Sequence, residues 1–147
     1  MSEGKKAYSW AKNIFPFNRS LTGEGVNKTL VYFKKICSQL KIHNIKSGHK
    51  VFDWNIPLEW NVRDAYVAEL KGKKIIDFKE NNLHLVGYSR PINKILNFKT
   101  LNKHIYSLKS QPNAIPYVTS YYKKHWGFCI SHNKRKVLKK GKYKVVI

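Results

Sequence analysis

The chain has 147 residues, 42% of them apolar and 14% aromatic, and carries a formal net charge of +21. That length suits one domain or part of a larger one, and the apolar and aromatic content excludes a disordered tail. No run of 18 apolar residues exists to span a membrane, and the opening MSEGKKAYSWAKNIF lacks the apolar stretch of a secretory signal.

Charge is unevenly distributed. Residues 1–80 hold 15 basic and 8 acidic side chains, whereas residues 81–147 hold 14 basic and no acidic ones. A self-contained domain normally intersperses both signs, because unrelieved like charge strains the compact state. Either an acidic polymer is the partner, or the complementary acids belong to protein outside this chain.

In chain order, residues 4–14 read as a short amphipathic helix ended by Phe15-Pro16-Phe17. A second helix is expected from an N-cap at Thr22 to about Leu40, since Val26, Leu30, Phe33, Cys37 and Leu40 form one apolar stripe. The pattern then shifts to period two. Strands are expected at Ile42–Lys46, Lys50–Asn55, Val62–Leu70, Ile75–Phe78 and Leu83–Ser89, with Lys71-Gly72-Lys73-Lys74 as a hairpin turn. Thr100–Leu108 suits a turn or two of helix. Tyr117–Tyr122 and Trp126–Ser131 suggest a hairpin, and Tyr143–Ile147 a last strand that leaves toward a sheet outside this chain. Helices first and strands afterwards, without βαβ alternation, give an α+β class: N-terminal helices followed by a mostly antiparallel β region.

Chemistry-bearing residues gather in three places. Arg19, Ser20, Thr22, Gly23 and Gly25 precede a helix N-terminus, where backbone N–H groups and the dipole favour an anion, although an ordinary capped loop has the same composition. Asp53, Trp54, Glu59, Trp60, Arg63 and Asp64 place three carboxylates, two Trp and an Arg within 12 residues. Paired carboxylates share acid–base work and Trp walls suit a sugar or peptide, while Arg63 between acids equally suits a structural ion pair. Tyr121 and Trp126 lie in YVTSYYKKHW, a mixture of aromatic and basic residues found on nucleic-acid surfaces. Only one of the four Arg lies beyond residue 100, which disfavours base and phosphate readout. His125, Cys129 and His132 have a ligand-like spacing, but alternation along a strand points His132 to the opposite face. Cys37 and Cys129 read as reduced core thiols of a cytoplasmic protein.

Four segments together carry a family resemblance: FPFNRSLTGEGV (15–26), KVFDWNIPLEWNVRDAY (50–66), NLHLVGYSRP (82–91) and QPNAIPYVTSYYKKHWGFC (111–129). The chain resembles bacterial polysaccharide-biosynthesis proteins with an aminopeptidase-like domain, over about residues 13–147. The resemblance implies an α/β fold like that of the zinc aminopeptidases, interrupted early by a mostly β insertion and followed by a winged-helix domain. Residues 1–46 would be the opening helices and first strand of the catalytic domain. Residues 47–141 would be the insertion, and residues 142–147 a strand returning to the catalytic sheet. It implies zinc for the full-length family, with ligands that follow residue 147, so no metal ligand, cofactor or catalytic residue is carried onto this chain. It also implies that Arg19, Ser20, Thr22, Asp53, Trp54, Glu59, Trp60, Arg63, Asp64, Tyr121 and Trp126 line a substrate cleft. The expected partner is the remainder of such a protein, with self-association as a further outcome, and neither nucleic acid nor membrane is expected. The rival readings are a freestanding basic module for nucleic acid or anionic glycan, and an enzyme using the carboxylates between Asp53 and Asp64.

Overall fold

Helix α1 spans Glu3–Ile14, with Glu3 in its first turn and Lys12 in its last, charges placed to complement the helix dipole. The computed structural model describes residues 2–147. They form two compact units, Met1–Asn61 and Val62–Ile147.

In the first unit, α1 is followed by α2, Glu24–Ile36. An Asn13 amide to Tyr32 hydroxyl bond of 2.9 Å joins the two helices. Helix α2 is shorter than its apolar stripe predicts. Cys37 already has extended backbone, φ −117° and ψ 93°, and its N–H makes the last bond, to the Phe33 carbonyl. The N-cap is Gly23, not Thr22. The strand expected at Ile42–Lys46 is irregular chain without a pairing partner. Lys50–Val51 (β1) and Trp54–Asn55 (β2) form a minimal antiparallel hairpin, turned at Phe52 with φ 51°. None of residues 2–61 is buried, including Val26, Leu30 and Phe33 on the α2 stripe. Cys37 is exposed, contrary to its expected place in a core, and neither cysteine is in a disulfide.

The second unit holds every buried residue of the described chain, among them Val67, Ile76, Val86, Leu101, Phe128, Ile130 and Val145. Its frame is a four-stranded sheet ordered β4-β3-β8-β5, antiparallel throughout. The strands are β3 (Tyr66–Glu69), β4 (Lys74–Asp77), β5 (Asn93–Asn97) and β8 (Lys142–Val146). The turn between β3 and β4 places Gly72 at φ 92°, a left-handed conformation that a side chain disfavours. The expected last strand is thus present, but it does not leave for a distant sheet. Val145 pairs with Val67 on one side and Lys94 on the other, so β8 has both neighbours inside this chain.

Between β5 and β8 lie α3 (Phe98–Asn102), β6 (Ile105–Tyr106), β7 (Phe128–Cys129) and α4 (His132–Lys136). Strands β6 and β7 pair in parallel, Ile105 opposite Phe128 and Tyr106 opposite Cys129. The hairpin expected around Lys123 and Lys124 is therefore absent: Thr119 bridges to Gly87, while Phe128 bridges to Leu85. The strand expected at Leu83–Ser89 is instead a 3-10 turn at Asn82–His84 followed by those isolated bridges. Mixed helices and antiparallel sheet make the chain α+β, as its sequence predicts.

Candidate functional site

The site is assembled in the first unit by the loop after α1. Pro16 ends the helix, and Phe15 and Phe17 N–H groups close its last turn onto the Ala11 and Ile14 carbonyls. Arg19 Nη1 also donates to the Ile14 carbonyl, at 2.5 Å. This puts a cation at the negative end of α1 and commits Arg19 to the helix end.

The loop then meets the segment 59–61. Ser20 Oγ donates to the Thr22 carbonyl and also approaches the Trp60 carbonyl at 3.4 Å. Gly23, at φ 125°, offers no side-chain cap. Its place is taken by Asn61, whose Oδ1 accepts from the Glu24 N–H at 2.8 Å. The Asn61 amide donates in turn to Glu59 Oε2 at 3.3 Å. Gly25 is required for a different reason: a Cβ there would lie 1.9 Å from the Asn18 carbonyl oxygen.

An open cleft of about 530 Å³ lies against this N-terminus, bounded by Thr22, Glu24, Leu30, His43, Ile45 and Glu59 among others. Its chemistry is a hydroxyl, two carboxylates and an imidazole above apolar α2 side chains. Such a wall can hold a polar ligand by hydrogen bonds. Glu24 is tied to Lys28 one turn along.

Of the residues named for a substrate cleft, Thr22 and Glu59 border this open cleft. Ser20 and the Trp60 carbonyl hold the loop against the irregular segment 59–61. Asp53 and Trp54 sit exposed on the β1–β2 hairpin. The remaining four lie in the second unit. Arg63 is exposed and makes no ion pair among the described residues, which corrects the expectation that it bridges acids. Asp64 pairs instead with Lys79, Oδ2 to Nζ 3.5 Å, while its Oδ1 is buried without a hydrogen-bond donor. Tyr121 packs edge-to-face against Tyr88 and Tyr122. Trp126 stacks on His104, with centroids 3.8 Å and planes 10° apart.

Asp53 is exposed on the hairpin, Glu59 borders the cleft of the first unit, and Asp64 in the second unit pairs with Lys79. Among the described residues no group of three or more His, Cys, Asp or Glu side chains could hold a metal ion. Sequence reasoning missed His43 and Asn61. Asn61 acts as a cap 37 residues from Glu24, whose N–H it accepts, a relation that no local spacing encodes.

Comparison with known proteins gives this arrangement its setting. The profile of the family described as "Domain of unknown function (DUF2172)" matches residues 59–147. A protein of Clostridium acetobutylicum named "Putative polysaccharide biosynthesis protein with aminopeptidase-like domain" is 46% identical over 144 residues, covering 98% of this chain and 33% of its own length. The crystal structure of a protein named "putative peptidase" from the same organism superposes with a TM-score of 0.92 at 46% identity, covering 98% of this chain and 34% of that one. The chain thus spans about a third of the length of the relatives it matches. With the DUF2172 profile matched over more than half of its residues, the chain belongs to that family.

Proposed function

We propose that this chain forms the N-terminal part of an aminopeptidase-like hydrolase of polysaccharide biosynthesis, whose metal centre is built from residues outside it. On this reading the first unit supplies the opening helices of the catalytic domain, and the second is its inserted β domain. The observation that carries the reading is that a chain covering a third of its relative has one unit with a buried core and one with none. Helices such as α1 and α2 are marginal in water unless an apolar face is covered. The partner is then the remaining polypeptide of such a hydrolase, and the acid-free stretch 81–147 suits an acidic surface on it. Zinc is the metal that the family resemblance implies, yet the described residues supply no ligand set for it. No step of chemistry is assigned to this chain. Two free thiols favour a reducing, cytoplasmic setting, and no helix is long and apolar enough to cross a membrane.

Co-expression with the part of the Clostridium acetobutylicum relative that this chain does not match tests the proposal. The expected result is a stable complex that hydrolyses aminoacyl anilides, with neither piece active alone. A monomeric chain that melts cooperatively by itself and ignores the complementary piece would defeat it.

The uneven charge favours one rival, a binding module for an anionic polymer. It requires polyanion affinity at about 50 mM salt that falls steeply as salt rises. Absence of that binding removes it.

A further inference from the structure

A second cavity, of about 380 Å³, lies wholly within the second unit, between the β3–β4 hairpin and the α4–β8 connection. Its volume falls within the range of small-molecule pockets, about 300–1,000 Å³. Ile75, Leu138 and the exposed Val137 give it an apolar lining over the buried Ile130.

The rim is charged with both signs. Lys73, Lys134 and Lys139 face the cavity together with Glu69 and Glu80. None of these five makes an ion pair among the described residues, although Lys74 on the same rim is bound to Asp77 at 2.8 Å. Their backbones are held on separate elements. Glu69 ends β3, and its N–H bonds the Lys73 carbonyl across the turn at 2.9 Å. Lys134 lies in α4, where its N–H is capped by Ser131 Oγ at 3.2 Å. Neighbouring Arg135 ties that helix to Asn102 through Nε and Nη2, at 3.1 and 3.2 Å. The Lys139 carbonyl accepts from the buried Tyr143 hydroxyl at 2.6 Å.

We propose that this cavity binds a free α-amino acid with a branched aliphatic side chain. Opposite charges that line one cavity without neutralising each other are complemented by a zwitterion. The ligand's carboxylate meets the lysines, its ammonium meets Glu69 or Glu80, and its side chain covers the isoleucine and leucine lining. A simple anion leaves both glutamates facing like charge, and a simple amine leaves three lysines unmatched.

Leucine, 4-methylpentanoate and isopentylamine share the apolar body and differ only in the charged groups, so calorimetric titration of the whole 147-residue chain with each tests the idea. Leucine is expected to saturate, with both truncated analogues weaker by about tenfold, the loss of one charged contact. Lys139→Gln is expected to weaken leucine and leave isopentylamine unchanged. Glu69→Gln is expected to weaken leucine and leave 4-methylpentanoate unchanged. Thermal melts of both variants confirm an intact fold, and amide NMR shifts should centre on Ile130 and Tyr143. No saturable leucine binding up to about 10 mM, equal binding of 4-methylpentanoate, or shifts confined to residues 2–61 would each overturn the proposal.

Discussion

Asn61 caps a helix from 37 residues away: its Oδ1 accepts the Glu24 N–H at 2.8 Å, where Gly23 has no side chain to do so. One orphan donor of α2 is thereby satisfied, and the loop carrying Thr22 is fixed to the irregular segment 59–61 that carries Glu59. An Asn61→Ala change should therefore cost about 1 kcal/mol, the usual loss for an N-cap. Asn61→Asp should recover only part of it: a carboxylate still accepts from the Glu24 N–H and suits the dipole, but it replaces the amide donor with a like charge beside Glu59 Oε2. Urea unfolding of the three proteins checks the order, and an alanine variant as stable as the parent would show that the cap is idle.

Gly25 is constrained by contact, not by its backbone angle. A Cβ at this position meets the Asn18 carbonyl carbon at 2.5 Å and its oxygen at 1.9 Å. Backbone must move to relieve that, so Gly25→Ala should destabilise the loop although alanine is the better helix former. A loss of about 1–3 kcal/mol is expected. Gly4→Ala is the control: it lies in α1 with nothing within 4 Å of the added Cβ, and it should be neutral or slightly stabilising. Equal effects at the two positions would contradict the close approach.

The elements read correctly from sequence are those whose signal is local. The stripe through Val26, Leu30 and Phe33 marks α2, and Lys71-Gly72 marks the β3–β4 turn. The parallel pair β6–β7 is two residues per strand, too short to show alternation. Helix α4, His132-Asn133-Lys134-Arg135-Lys136, has no apolar periodicity, and it forms because Ser131 caps it and Arg135 reaches Asn102. Ile42–Lys46 alternates as a strand would, but no neighbouring strand accepts its hydrogen bonds. The same division holds for the candidate site. Thr22 and Glu59 stand out by their company of Gly, Trp and Asn, whereas Asn61 and His43 join the site only through tertiary placement.

Two histidines make stability depend on pH near neutrality. His84 is buried and its Nδ1–H donates to the Cys129 carbonyl at 2.7 Å. Burial holds its pKa below 6.5; Lys134 adds to this, while the Cys129 bond, Glu80 and Asp77 oppose it. His125, whose Nε2 lies 2.7 Å from the Tyr106 hydroxyl, is likewise held down by burial, then by His104 and Lys123. In the unfolded chain both titrate at the ordinary value, so at acid pH the unfolded state binds more protons. Their contribution is present above pH 6.5 and is lost as pH falls through the lower folded values. Urea midpoints should therefore fall between pH 8 and pH 5.5, and His84→Gln should flatten part of that slope. A midpoint that stays level or rises on acidification would contradict the lowered pKa of these two imidazoles.

The two cysteines should differ sharply in reactivity, because the thiolate is the reacting species. Cys129 is 0% exposed, and burial pushes its pKa up to about 12, against a partly offsetting backbone bond with Val118. Cys37 is exposed just past the end of α2. At pH 8, a disulfide reagent should release one thiol equivalent rapidly from the native protein and the second only as the protein unfolds. Cys37→Ser should abolish the fast phase and leave the slow one, whose rate then reports opening of the β6–β7 core. Both thiols reacting at one rate in the native protein would mean that the Phe128–Cys129 strand is not buried in solution.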